Sequence, residues 1–214
     1  MAQTTEDLIG RLAAGAEPVR RLRAPGIRAS LWLGGFSILA VAGILWFSDL
    51  PESIRRLEEP KLAVELLATL ATGLLAVIAA FHVSLPDRSA RWALLPLPAL
   101  AVWLATSGHA CYRNWIVSGS DGWKWGESAE CFQFILGFGI PLALALLLAL
   151  RRARPLNPER VAAVGGLGTA ALAAFLLQFF HPFDATFMDL AVHVVAVSLV
   201  VAASSASARL PAAR

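Results

Sequence analysis

Residues 161–180 are VAAVGGLGTAALAAFLLQFF, twenty positions without an Asp, Glu, Lys or Arg. A helix of about 20 apolar residues crosses the ~30 Å hydrocarbon core of a bilayer. The apolar residues run continuously instead of alternating with polar ones, so this stretch predicts a membrane-spanning helix rather than a strand. Comparable runs recur along the chain and predict an all-α, polytopic membrane protein with six spans, at about 29–47, 62–81, 93–107, 132–150, 161–180 and 187–206.

Composition leaves little room for a separate soluble domain. The chain has 214 residues and is 57% hydrophobic, and six spans of about 20 residues use more than half of it. We therefore predict an N-terminal segment at 1–28, a transmembrane domain at 29–206 and a short tail at 207–214. The net charge of +3 comes from arginines scattered over several loops, so no direct contact with nucleic acid is expected.

The basic residues lie almost entirely on one side of the predicted spans. With the N-terminus inside, thirteen of the 18 Lys and Arg fall in inner segments, while ten of the 15 Asp and Glu fall in outer segments or outer helix ends. Cytoplasmic loops of membrane proteins carry the excess of Lys and Arg. Both termini are therefore predicted to be cytoplasmic.

The N-terminal segment has the pattern of a short amphipathic helix. Thr4 or Thr5 is expected to cap it, with Pro18 at its end. Its apolar stripe consists of Leu8, Ile9, Leu12, Ala13 and Ala16, and a basic stretch follows at Val19, Arg20, Arg21, Leu22 and Arg23. So short a helix is marginal alone, so we expect it to dock on a partner, the membrane surface or the protein's own loops.

Cysteine and histidine side chains gather at the outer level of the predicted spans. These residues are His109, Cys111, Cys131 and His181. A structural disulfide between Cys111 and Cys131 is one interpretation, because these cysteines end consecutive antiparallel spans in an oxidising compartment. A metal or redox site formed by these four residues is another, and unlinked roles are a third, because the spacing fits no standard zinc pattern.

Other polar residues at the outer level are Glu65, Gln178, Asp189 and His193. Asp189 and His193 are four residues apart, which predicts a hydrogen-bonded pair on one helix face. No ionisable residue lies near the midpoint of a span, as coupled transporters usually require. Phosphate-binding glycine loops, HExxH and nucleophile-elbow motifs are missing as well, so no enzymatic activity is predicted.

Several short motifs resemble those of one family over essentially the full length. They are Thr5-Glu6-Asp7-Leu8-Ile9, Pro18-Val19-Arg20-Arg21-Leu22, Leu85-Pro86-Asp87-Arg88-Ser89-Ala90-Arg91-Trp92, Cys131-Phe132-Gln133-Phe134-Ile135, Pro141-Leu142-Ala143 and His181-Pro182-Phe183-Asp184. In this order, and with six spans, they resemble the NrsF family of membrane anti-sigma factors.

The resemblance implies that the protein holds an extracytoplasmic-function sigma factor at the bacterial inner membrane and releases it on a periplasmic, redox or metal stress signal. The implied sigma-binding residues are Leu8, Ile9, Leu12, Val19, Arg20, Arg21 and Leu22. Outer-face cysteines are implicated in sensing in this family. Pro182 stands where many relatives carry a cysteine, which favours the Cys111–Cys131 pair.

No cofactor is expected beyond a metal ion sensed at the outer face. Two alternatives remain to the sigma-factor function. One is a small membrane protein that binds metal or undergoes thiol redox chemistry at the outer Cys/His cluster, and the other is a membrane subunit without sensing chemistry.

Overall fold

The computed structural model describes residues 4–16, 21–119, 125–180 and 187–209, and these are helical apart from short connections. The helices are α1 (Thr5–Ala14), α2 (Pro25–Phe47), α3 (Leu50–Leu57), α4 (Pro60–Val83), α5 (Leu97–Ser118), α6 (Trp125–Arg151), α7 (Pro158–Phe180) and α8 (Phe187–Arg209), with a 3₁₀ turn at Ala90–Leu94 before α5. Within these residues, six helices are long and apolar enough to cross a membrane, which confirms the predicted all-α fold with six spans.

Proline marks the start of three of the long helices. Pro25, Pro60 and Pro158 are the first residues of α2, α4 and α7. A helix leaves its first N–H groups without an intrahelical partner, so proline at this position loses no hydrogen bond, and its fixed φ suits the helix. The local sequence therefore sets where these helices begin.

Residues 108–131, which lie between the predicted spans at 93–107 and 132–150, are mostly helical. Helix α5 continues to Ser118 and ends at Gly119, whose φ of 59° lies in the left-handed region that glycine adopts readily. Helix α6 already begins at Trp125. Both helices extend past the predicted span ends because polar residues end an apolar run without ending a helix.

Helix α7 is the centre of the bundle. It packs against α4, α6 and α8, and its residues Ala170–Ala174 are almost completely buried. Gly166 and Gly168 permit the close approach: a Cβ atom on Gly166 would lie 2.8 Å from Ser204 Oγ, and one on Gly168 would lie 3.0 Å from Val77 N. The glycines of this span therefore serve helix packing.

Arginines join the helices at one end of the bundle, where α2 and α7 begin and α4, α6 and α8 end. Arg28 donates from Nη2 to the Ala149 carbonyl at 2.7 Å, and its guanidinium lies 5.1 Å from the centroid of the Phe81 ring. Arg209 and Glu159 form an ion pair at 2.9 Å. We call this the arginine-rich end. Since α2 begins here and α8 ends here, both terminal segments leave the bundle on the same side.

Candidate functional site

Helix α1 exposes an apolar stripe. Leu8, Ile9 and Leu12 are 48%, 61% and 67% exposed, and the structure, which describes all ten residues of α1, buries none of them. Thr4 caps the helix as predicted: its Oγ1 accepts from the Asp7 N–H at 3.3 Å and donates to Asp7 Oδ2 at 2.7 Å. The stripe therefore belongs to a well-capped helix, and the described part of the chain does not cover it.

The end of α1 differs from the prediction. The helix stops at Ala14, and the N–H of Gly15 caps it by donating to the Arg11 carbonyl at 3.1 Å. Pro18 was expected to end the helix, but the helix ends earlier, at Gly15, because glycine is a poor helix former. Of the basic stretch, Arg21 and Leu22 are exposed, whereas Val19 and Arg20 lie outside the described residues.

A cavity of about 880 Å³ lies at the opposite end of the bundle, which we call the cavity end. Its walls come from the first turns of α4 and α8, the second half of α5, the start of α6 and the end of α7, with α3 at its edge. A smaller chamber of about 220 Å³ shares four polar residues with it: Glu65, Gln178, Asp189 and His193. The polar residues noted at the outer level of the spans thus lie together in the fold.

Serine hydroxyls hold the two shared carboxylates from neighbouring helices. Ser107 of α5 donates to Glu65 Oε1 at 2.5 Å, and Ser128 of α6 donates to Asp189 Oδ1 at 2.5 Å. Hydrogen bonds to an ionised group are stronger than those between neutral groups. These two bonds tie α5 to α4 and α6 to α8 at the cavity end.

His193 bonds to Asp189 differently from the prediction. Its Nδ1 lies 2.7 Å from the backbone carbonyl oxygen of Asp189, while the Asp189 carboxylate accepts from Ser128. A side chain four residues further along a helix reaches back towards the preceding turn, where the carbonyl is the nearest acceptor. The two residues are hydrogen-bonded, but through the main chain.

Ser107 and Ser128 are functional candidates that the sequence did not identify. A serine in an apolar helix usually bonds to a carbonyl of the preceding turn, as Ser204 does with Val200. Nothing local distinguishes such a serine from one that bonds to a neighbouring helix. One sequence signal could have pointed to these serines: several spans each carry a polar residue at the same membrane level.

The predicted disulfide is not supported. Cys111 and Cys131 are both buried, and their sulfurs are not joined. The prediction assumed that the cysteines end their helices, but α5 continues seven residues past Cys111 and α6 begins six residues before Cys131. Helical phase therefore directs each side chain: Cys111 lines the smaller chamber, whereas Cys131 lines the larger cavity and packs with Ile135 and Leu177.

The predicted metal site is not assembled from the residues that the structure describes. Among them, no three His, Cys, Asp or Glu side chains gather in an arrangement that could hold a metal ion. His109 is exposed on the wall of the larger cavity, whereas Cys111 lines only the smaller chamber. His181, the fourth predicted ligand, lies outside the described residues.

Six long apolar helices, among them the largely buried α7, define a multi-pass helical membrane protein. Residues 12–210 match the NrsF family, described as negative regulator of sigma F, and the chain belongs to this family. Its members are regulatory anti-sigma factors and not enzymes, so the regulated partner is a sigma factor. No curated protein and no solved structure matches the chain. The family match begins within α1, at Leu12, so it does not include Leu8 and Ile9.

Proposed function

We propose that this protein holds an extracytoplasmic-function sigma factor at the bacterial inner membrane and releases it on a signal from the periplasmic side. Membership of the NrsF family supports the regulation of a sigma factor. The excess of Lys and Arg at the arginine-rich end supports a cytoplasmic position for that end and for both termini. The cavity end then faces the periplasm.

The exposed stripe of α1 is the proposed sigma-binding element, and it is the observation that carries the proposal. Leu8, Ile9 and Leu12 lie on one face of a capped helix and remain largely exposed. An amphipathic helix commonly binds by placing such a face in a groove of its partner. Full burial of a leucine or isoleucine side chain is worth about 1.5–3 kcal/mol, so three of them provide a substantial driving force for binding.

The basic stretch of Val19, Arg20, Arg21 and Leu22 joins α1 to the first span and is proposed to add to the same interface. Arg21 and Leu22 are exposed where the chain enters the bundle. Arginines at this level bind either acidic side chains of a partner or anionic lipid headgroups. Both interactions keep the sigma factor close to the membrane.

The signal is proposed to act on Cys111 and Cys131 at the cavity end, as a redox or metal stress. Both thiols belong to helices that contribute to the cavity walls, and Cys111 lies on the smaller chamber itself. Modification of a buried thiol requires its neighbours to move, because protein interiors are close-packed. Release then requires that the altered packing change the affinity of α1 for the sigma factor.

Co-purification with the cognate sigma factor tests the role of α1. Leu12→Glu should weaken sigma binding by about 30-fold, because about 2 kcal/mol of apolar burial is lost at the interface. Gly10→Glu is a matched control: it adds the same charge about 200° around the helix, where a new Cβ atom meets no atom within 4 Å. Equal retention of the sigma factor by both variants would show that the stripe is not its binding element.

A further inference from the structure

The larger cavity and the smaller chamber differ in charge. Lys61 and Arg113 line the larger cavity, together with Glu59. Among the described residues that line the smaller chamber, none is Lys or Arg, and the formal charges are the carboxylates of Glu65 and Asp189. Towards the smaller chamber, the lining therefore becomes acidic.

The two carboxylates are held as acceptors. Each receives a serine hydroxyl at 2.5 Å, which orients it without neutralising its charge. An ionised carboxylate has about four acceptor positions, so the hydrogen bond from Ser107 leaves the Glu65 carboxylate capacity for a further donor. Electrostatic attraction is stronger in apolar surroundings than in water, so a cation that reaches these oxygens is favoured.

The rest of the larger cavity is suited to an apolar body. Val64 of α4 and Val102 of α5 line it and are 46% and 45% exposed. Both residues lie on helices long and apolar enough to span a membrane. The volume of about 880 Å³ falls within the range of small-molecule pockets.

We propose that the cavity binds an amphipathic organic cation, with a protonated amine at Glu65 and Asp189 and an apolar body against α4 and α5. The amine donates to the acceptor positions that Ser107 leaves on the Glu65 carboxylate, and Asp189 and His193, which line both spaces, border the same position. Binding of this ligand is independent of whether α1 binds a sigma factor.

Octylammonium is a suitable probe, with 1-octanol and octanoate as comparators that keep the chain and change only the charge of the head group. The full-length protein is placed in nanodiscs of zwitterionic lipid, and binding is measured calorimetrically after subtraction of empty nanodiscs. We expect saturable binding of octylammonium, at least about tenfold tighter than that of 1-octanol, and still weaker binding of octanoate. Absence of saturable binding, or equal affinity for all three probes, overturns the proposal.

Variants locate the binding site. Glu65→Gln should weaken octylammonium binding by about tenfold or more and leave 1-octanol unaffected, because only the charge is removed. Glu58→Gln is the control, since Glu58 is an exposed carboxylate at the same end of the bundle and outside the cavity lining. Equal octylammonium binding by both variants excludes Glu65 from the site.

A second variant tests the cavity without changing its charge. Ala105 lines the larger cavity and is exposed, so Ala105→Phe should fold and fill part of the space. We expect it to weaken octylammonium and 1-octanol alike. Unchanged binding of octylammonium to this variant places the ligand elsewhere and overturns the proposal, even if Glu65→Gln fails to fold.

Discussion

Replacement of Gly168 by alanine should destabilise the bundle, although alanine is the better helix former. A Cβ atom at this position would lie 3.0 Å from Val77 N, 3.0 Å from Val77 Cγ2 and 3.2 Å from Ala76 Cβ. The first of these atoms belongs to the backbone of α4, so no side-chain rotation removes the contact. Helices α4 and α7 must move apart by about 0.5 Å, which forfeits about a quarter of the dispersion energy of the adjoining contacts.

The close contact should lower the free energy of unfolding by about 1–3 kcal/mol, the usual range for an added methylene in a packed interior. The gain in helix propensity, about 1 kcal/mol, acts in the opposite direction. Gly35→Ala in α2 provides the matched control, because it carries the same propensity gain and its Cβ atom meets nothing within 4 Å. The difference between the two variants therefore isolates the close approach of α4 and α7.

Thermal unfolding in detergent, followed by the fluorescence of the seven tryptophans, measures the difference. A difference of about 2 kcal/mol corresponds to a Tm about 4–8 °C lower for Gly168→Ala than for Gly35→Ala in a domain of this size. Equal Tm values would refute the role assigned to Gly168, and a lower Tm for Gly35→Ala would place the close contact on α2 instead.

Three further outcomes are expected. Ser107→Ala should lower the free energy of unfolding by about 1–3 kcal/mol, because the part-buried Glu65 carboxylate loses its hydrogen-bond donor. The control Ser37→Ala, on the exposed face of α2, should leave Tm unchanged. Equal effects of the two variants would contradict the hydrogen bond. Cys111 and Cys131 should both react with a maleimide in SDS without prior reduction, and only slowly in native nanodiscs; a requirement for reductant would indicate a disulfide. A green fluorescent protein at the C-terminus should fluoresce and alkaline phosphatase there should be inactive, whereas the reverse would reject the cytoplasmic assignment.

Much of the fold follows from single-helix properties that the sequence displays directly. A spanning segment must satisfy its own backbone groups in hydrocarbon, so a run such as 161–180 has to be helical whatever surrounds it. Thr4 and the glycines of α7 were likewise predictable, because a cap and a close contact each require a particular small or polar residue. The apolar stripe of α1 is likewise visible in the sequence, as apolar residues at helical spacing.

Single-helix properties do not identify residues whose roles depend on contacts with a neighbouring helix. The disulfide interpretation is not supported, because the apolar run ends before the helix does and the cysteines lie inside α5 and α6, with directions set by helical phase. Hydropathy measures the average polarity of a segment and contains no information on which helix a given side chain faces.

The sequence by itself therefore determined the six spans, the uneven distribution of charge between the two ends, and an amphipathic helix before the first span. Only the tertiary structure placed α7 at the centre and joined Ser107 to Glu65 and Ser128 to Asp189 around a cavity. The lipid bilayer constrains each helix separately, because each must be long and apolar enough to cross the hydrocarbon. The cavity arises from packing between helices, where the contact distances depend on several segments at once.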